Sequence, residues 1–323
     1  MEKPVHPGEL LGEFRSIIVV GVPGYMERPL SFEQCRKELL GSASPQHVTA
    51  EIIRRRVDRN FRICSFFTDR GFACKPLSGT LLFPAKLMAA RSGIGYYGKN
   101  SMLRHPEYGS WISLTGFMTE AVLEPDKPLP EDCGDCLRCV QACPAGALHR
   151  PYLCDETRCI NFHLGHNKKE IPAAIRSACS NLIGTACSVC RDVCPGNRDL
   201  KPVSGLKAPK DLLNPPLLKI IDMDEKIWKK TYSKTLMGLM MRDKKYLLRN
   251  AAIALGNFRD QRAVKPLSRL LEQGDAEVRG YAAWALGRIG SPEALSHLQA
   301  ALPYEKDPLI EDEIIYACKS IEN

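Results

Sequence analysis

The chain has 323 residues, 44% hydrophobic and 25% charged, a balance that excludes a disordered or collagen-like polypeptide and leaves room for two domains and a small third at ~150 residues each. No apolar run approaches the ~20 residues that cross a bilayer, and Met1-Glu2-Lys3-Pro4-Val5 does not lead into the apolar core of a secretory signal, so a cytoplasmic protein is expected. Forty-five Lys and Arg against 37 Asp and Glu leave a net charge of +8, which admits a polyanionic partner without demanding one.

Residues of about 10–130 read as mixed α/β. Ser16 through Pro23 (SIIVVGVP) is a short β-branched run closed by Gly and Pro, the pattern of a buried strand. Residues 45–71 suit a helix whose basic face carries Arg54, Arg55, Arg56 and Arg59. The glycine-rich stretch Gly93-Ile94-Gly95-Tyr96-Tyr97-Gly98-Lys99-Asn100 reads as a loop or tight turn. Trp111 through Thr119 resembles a second strand, and Asp126-Lys127-Pro128-Leu129-Pro130 a linker.

Beyond that linker the cysteines dominate. The chain has 14, ten of them between Cys133 and Cys194. In a reducing compartment such a cluster points to metal or redox chemistry rather than disulfides. Cys133-x2-Cys136-x2-Cys139-x3-Cys143-Pro144 is the bacterial ferredoxin run, in which three thiolates hold one [4Fe–4S] cluster and the fourth crosses to another. Downstream, Cys187-x2-Cys190-x3-Cys194-Pro195 lacks its leading cysteine, so one further ligand must come from Cys154, Cys159 or Cys179. We expect Cys133, Cys136, Cys139 and Cys194 on one cluster, and Cys143, Cys187, Cys190 and a remote cysteine on the other. A zinc site would instead show two separated CxxC pairs. Cys35, Cys64, Cys74 and Cys318 read as buried free thiols.

From about Leu200 an internal repeat appears. Ala254-Leu255-Gly256 and Ala285-Leu286-Gly287 share a 31-residue offset that also aligns Leu267 with Leu298 and Leu271 with Leu302. Each unit reads as helix, Gly-containing turn, helix, and a degenerate third includes Ile314, Ile315 and Ala317. Between Lys226 and Arg269 twelve Lys and Arg face only Asp243 and Asp260. So dense a basic face suits phosphate contacts, although a solvated helix surface has the same composition.

Residues 89–200 resemble the epoxyqueuosine reductases, cobalamin-dependent enzymes of tRNA queuosine modification, and less closely the reductive dehalogenases. The matching residues are Ala89 through Asn100, Pro106 through Trp111, Leu123-Glu124-Pro125-Asp126 and both cysteine runs. Arg158-Cys159-Ile160 matches the family's remote ligand, which selects Cys159. The Arg249–Asn257 and Ala282–Gly287 segments look like the family's HEAT-like tail. The resemblance implies an α+β protein in three parts: a nitroreductase-like corrinoid-binding domain (1–125), a double [4Fe–4S] ferredoxin-like domain (126–200) and C-terminal α-helical HEAT-like repeats (201–323). It further implies a base-off cobalamin beside the second cluster. The corrin would be lined by Gly98, Lys99, Asn100, Ser110 and Trp111, and the cobalt reduced to Co(I) by cluster electrons. No D-x-H-x-x-G motif of His-on cobalamin binding occurs, in agreement. The basic tail would dock tRNA, and a ferredoxin, flavodoxin or similar reductant would supply electrons.

The resemblance breaks at Leu77 through Lys86, where the family carries its acidic proton donor. Aligned without gaps, Gly79 takes the donor's place and Ala85 that of a glutamate. Tyr96 or Tyr97 would substitute if Lys99 or Arg91 depressed its pKa, as a tyrosine serves in the dehalogenases. Glu120, His105, His163 and His166 are weaker candidates. The expected function is therefore a cobalamin- and iron–sulfur-dependent reductase, an oxidoreductase like epoxyqueuosine reductase with room for a divergent substrate. Its rivals are a non-catalytic electron-transfer protein and a dehalogenase-like enzyme acting on a small molecule.

Overall fold

A computed structural model describes residues 13–26, 30–77 and 84–322. The chain forms two compact units, each gathered from separate stretches. The first takes the described residues of Met1–Met26, Glu51–Asp155 and Ser188–Leu206; the second takes those of Glu27–Ala50, Glu156–Cys187 and Lys207–Asn323. Among the described residues no helix is long and apolar enough to cross a membrane.

The first unit is built on strands β1 (Ser16–Pro23), β2 (Cys74–Pro76), β3 (Tyr96–Tyr97), β4 (Leu103–Arg104) and β5 (Ile112–Thr119). β5 is the centre of an antiparallel sheet of order β1-β5-β2. It pairs with β1 from Ser16 opposite Thr119 to Pro23 opposite Ile112, and with β2 from Cys74 opposite Thr119 to Pro76 opposite Phe117. Burial of Phe117, Thr115 and Thr119 on β5 explains why the central strand must be β-branched and aromatic. The basic helix is shorter than residues 45–71. Thr49 adopts an extended backbone (φ −99°, ψ 125°), which separates the single turn Pro45–Val48 from helix α1 (Ala50–Thr68).

The glycine-rich stretch contains a strand. After helix α2 (Ala85–Arg91), β3 pairs with β4 in a small hairpin. Its tip is closed by Gly98 N–H donating to the Met102 carbonyl (2.8 Å) and by Met102 N–H donating to Asn100 Oδ1 (3.1 Å), with Ser101 at φ 59°. Gly95 is glycine because a β-carbon there would run into the Arg104 carbonyl and come within 3.2 Å of the His105 nitrogen.

In the second unit, helix α3 (Ile160–Gly165) is followed later in the chain by the repeat helices α4 (Lys244–Phe258), α5 (Val264–Gln273), α6 (Ala276–Ile289), α7 (Pro292–Ala301) and α8 (Pro308–Glu322). α4 packs on α6 and α6 on α8, with Leu247, Ile253, Leu255, Leu286, Leu298 and Ile314 forming the core between them. Two of the starts carry side-chain caps: the Asp243 carboxylate accepts from Lys245 N–H ahead of α4, and Ser291 Oγ from Ala294 N–H ahead of Pro292 in α7. One expectation is corrected here. Gly256 and Gly287 sit inside α4 and α6, not in turns. A β-carbon on Gly256 would stand 2.9 Å from the Ala285 Cα, and one on Gly287 3.0 Å from the Ala317 Cα. The repeated glycines let successive helices touch backbone to backbone; the turns themselves are made by Arg259 (φ 52°) and Gly290 (φ 72°).

Candidate functional site

Cys133, Cys136, Cys139 and Cys194 line one cavity of about 240 Å³ together with Gly98, Lys99, Asn100, Arg104 and Ser110. Local chemistry explains how so few residues hold four thiols. Gly134, at φ 49°, turns the chain between the first two cysteines, and its N–H donates to Asp132 Oδ1 at 2.6 Å. Cys136 N–H returns to the Cys133 carbonyl (3.3 Å), and the short helix Arg138–Gln141 carries Cys139. Lys99 Nζ donates to the Gly134 carbonyl. All cysteines are free thiols, so these four are available as the thiolate ligands that an iron–sulfur cluster uses.

Cys194 is held by its successors. Asn197, 1% exposed, accepts from Ser110 N–H at Oδ1 (2.9 Å), while its Nδ2 donates to Ser110 Oγ and to the Arg191 carbonyl, both at 2.8 Å. This clamp fixes the Cys194-Pro195-Gly196-Asn197 turn against Gly109-Ser110, where a β-carbon on Gly109 would overlap the Asn197 amide. Elsewhere in the same unit, Ala147 N–H donates to Cys143 Sγ (3.2 Å) and Asn100 Nδ2 donates to the Cys190 carbonyl (3.2 Å).

In the second unit, Asn161, two residues after Cys159, brackets Cys187. Its Nδ2 donates to the Cys187 carbonyl (2.8 Å) and its Oδ1 accepts from Cys187 N–H (2.9 Å). Cys179 is otherwise engaged: fully buried, its Sγ donates to the Ile175 carbonyl (3.1 Å), and desolvation pushes its pKa up to about 12. Cys35 and Cys318 are buried, but Cys64 and Cys74 are only half-buried, a departure from the expectation. These two thiols neighbour each other, and burial with that contact pushes Cys74 up to about 12.

Of the residues expected at the corrin, Gly98, Lys99, Asn100 and Ser110 stand at the four-cysteine cavity. Trp111 is 7% exposed, with the Arg191 guanidinium 3.8 Å above its ring and Tyr25 edge-on at 5.5 Å. Its Nε1 and the Ser101 Oγ are buried without a hydrogen-bond partner. Two such donors suit a ligand rimmed with amide carbonyls, which cobalamin is, so the residues present fit the group. Gly79 lies outside the described residues.

The proton-donor candidates separate. Burial raises the phenols of both Tyr96 and Tyr97; at Tyr96 the Arg104 cation opposes this while Cys133, Cys194 and Glu131 add to it. Neither phenol is depressed by Lys99 or Arg91. Glu120 accepts the Ala73 N–H (2.9 Å), and His105 Nδ1 accepts from Glu107 and Tyr108. His163 is not solvent-facing: 4% exposed, it contacts the Thr157 carbonyl (2.7 Å) and Asn167 Nδ2 (3.0 Å) through its two ring nitrogens. Its neighbour His166 is exposed.

The basic stretch keeps an exposed face at Lys226, Lys230, Lys234, Arg242, Arg259 and Lys265. Arg249 leaves that face. It is 3% exposed and donates to the Asn167 (3.0 Å) and His163 (2.9 Å) carbonyls. Lys245, Arg262 and Arg269 are paired with Glu277, Asp260 and Asp222.

Known families match the chain in two places. A 4Fe-4S double cluster binding domain model matches residues 132–197, and a HEAT repeat model matches 234–319. The epoxyqueuosine reductase of Bacillus subtilis (strain 168) is 31% identical over 315 residues, covering 95% of this chain and 80% of that protein. The chain belongs to the epoxyqueuosine reductase family. The Listeria monocytogenes epoxyqueuosine reductase is 30% identical, covering 97% of this chain and 83% of that protein. Among solved structures, an epoxyqueuosine reductase with an epoxyqueuosine-modified tRNA stem loop matches with a TM-score of 0.88 at 29% identity, covering 99% of this chain and 86% of that one. The Bacillus subtilis enzyme with its catalytic loop swung out of the active site matches at 0.87 and 29% identity, covering 99% and 85%. As a member of the family the chain is an oxidoreductase with two [4Fe–4S] clusters and cobalamin, not a plain electron carrier.

Proposed function

We propose that this chain reduces epoxyqueuosine in tRNA. The observation that carries the reading is the cavity at which Cys133, Cys136, Cys139 and Cys194 meet the Gly98–Asn100 loop and Ser110. These four would hold one [4Fe–4S] cluster, and Cys143, Cys159, Cys187 and Cys190 the other. When bound, the clusters relay single electrons and the corrinoid supplies the cobalt chemistry that reduces the substrate.

The chain's own part is placement. Lys99 and Asn100 brace both cysteine runs through the Gly134 and Cys190 carbonyls. Asn197 fixes Cys194, and Asn161 fixes Cys187. Trp111 Nε1 and Ser101 Oγ, donors without protein partners, would meet the corrinoid's amide rim beside the Gly98–Asn100 loop. A glycine at 79 has no proton to give, so the proton at the substrate would come from Tyr96 or Tyr97. Tyr96 is the stronger candidate because it faces Cys133, Cys194 and Arg104. Burial raises both phenols instead of depressing them, so each holds its proton at neutral pH and would release it only to a strong base formed on the substrate during reduction.

The exposed lysines and arginines between Lys226 and Lys265 would receive the stem-loop phosphates. The tRNA stem loop held by a structural relative supports tRNA as the partner. The electron donor would be a ferredoxin, flavodoxin or similar reductant, and the site of action the cytoplasm. The test is anaerobic turnover of epoxyqueuosine-containing tRNA by cluster- and cobalamin-loaded protein with a chemical reductant, read as digested nucleosides. Conversion to queuosine is expected. A fully loaded protein that leaves the nucleoside untouched would refute the reading.

A further inference from the structure

We infer that Arg104 sets the reduction potential of the cluster held by Cys133, Cys136, Cys139 and Cys194, an inference that rests on that ligand assignment. Arg104, on β4, lines the same cavity as the four thiols. Its guanidinium lies against Gly196, two residues beyond Cys194, where any β-carbon would fall inside the guanidinium group. The Cys194 turn thus gives up a side chain and seats a cation there. Arg104 Nε is buried and makes no hydrogen bond, and its guanidinium carbon lies 5.6 Å from the Tyr96 ring centre. Lys99, whose ammonium donates to the Gly134 carbonyl, and Arg138 line the same cavity; Arg104 is the one of the three that lies against Gly196 in the Cys194 turn.

Uptake of one electron makes a thiolate-ligated cluster more anionic by one charge. A fixed cation in the wall of its cavity, where the effective dielectric is far below that of water, favours the reduced form and raises the potential. Arginine suits this role because it keeps its charge when partly buried.

The test is an anaerobic potentiometric titration of cluster-loaded protein, followed by electron paramagnetic resonance. Arg104→Gln should lower the reduced-to-oxidised ratio of one cluster at least tenfold at fixed poise, about 59 mV for a one-electron couple, and leave the other cluster unmoved. Arg104→Lys should retain most of the wild-type potential. Gly196→Ala keeps the charge but displaces the guanidinium, and should shift the same cluster in the same direction by less. If both Arg104→Gln and Gly196→Ala keep their full iron and neither moves a potential, the inference is overturned. The ligand assignment is tested separately: Cys133→Ser retaining full iron would overturn that assignment, whatever Arg104 does.

Discussion

Asn197 is where the account makes its sharpest stability prediction. Its side chain makes three hydrogen bonds, one accepted from Ser110 N–H and two donated, to Ser110 Oγ and the Arg191 carbonyl; the two with Ser110 are buried and the third is part-buried. Asn197→Ala removes all three and leaves Ser110 N–H and the Arg191 carbonyl without these partners. At about 1 kcal/mol net per bond, the expected loss is about 3 kcal/mol. At roughly 2–4 °C per kcal/mol, this lowers the melting temperature of the metal-free chain by about 6–12 °C. Ser110→Ala removes only the hydroxyl acceptor and should cost about 1 kcal/mol. A double-mutant cycle between the two positions, from denaturant unfolding, should show a coupling of about 1 kcal/mol, since they share the bond. An Asn197→Ala chain within about 0.5 kcal/mol of wild type, or zero coupling in the cycle, would refute the clamp.

Other expectations concern separate parts of the molecule. Gly256→Ala gains about 1 kcal/mol of helix propensity but drives a β-carbon to 2.9 Å from the Ala285 Cα. Overpacking of about 1–3 kcal/mol should win, so calorimetry should show a less stable protein; a more stable one would contradict backbone-close packing. Glu305, hydrogen-bonded to Arg279, is held down at about 2, below its ordinary 4.5. A depressed carboxylate stabilises above the unfolded value and loses that contribution as pH falls through the folded one, so stability should decline from about pH 4.5 toward about 2. Glu305→Gln should flatten this part of the acid-unfolding curve, and an unchanged slope would place the titration elsewhere. Tyr96→Phe should cut anaerobic turnover on modified tRNA at least ~100-fold, the scale of a lost general acid, and Tyr97→Phe much less; full activity in both would remove the phenols from the proton path.

How much of this was legible in the sequence depends on the range of the interaction. The β-branched run at Ser16–Pro23 and the cysteine spacing are local signals, and the structure carries the strand at the same bounds. Asn197 and Asn161 escaped notice because each is a single polar residue whose partners lie 87 and 26 positions away. The only hint was an asparagine placed just after a ligand motif. From the sequence, Gly256 and Gly287 read as turn residues, because turns are where glycine is most often needed. Their actual reason, the approach of another helix, is tertiary. The twelve basic residues counted between Lys226 and Arg269 overstate the face, since Arg249 turns inward to carbonyls. The hairpin at Tyr96–Tyr97 was hidden by its flanking glycines, which in fact permit the close pairing.

The central claim is that the eight named cysteines hold paired cubanes that serve a corrinoid. Its most direct measurement is the iron and cobalt content of protein reconstituted and desalted without oxygen in the presence of cobalamin. The account predicts about eight irons per chain, two clusters of four, with cobalt retained in equimolar amount. About half that iron, or cobalt that washes away completely, would contradict it.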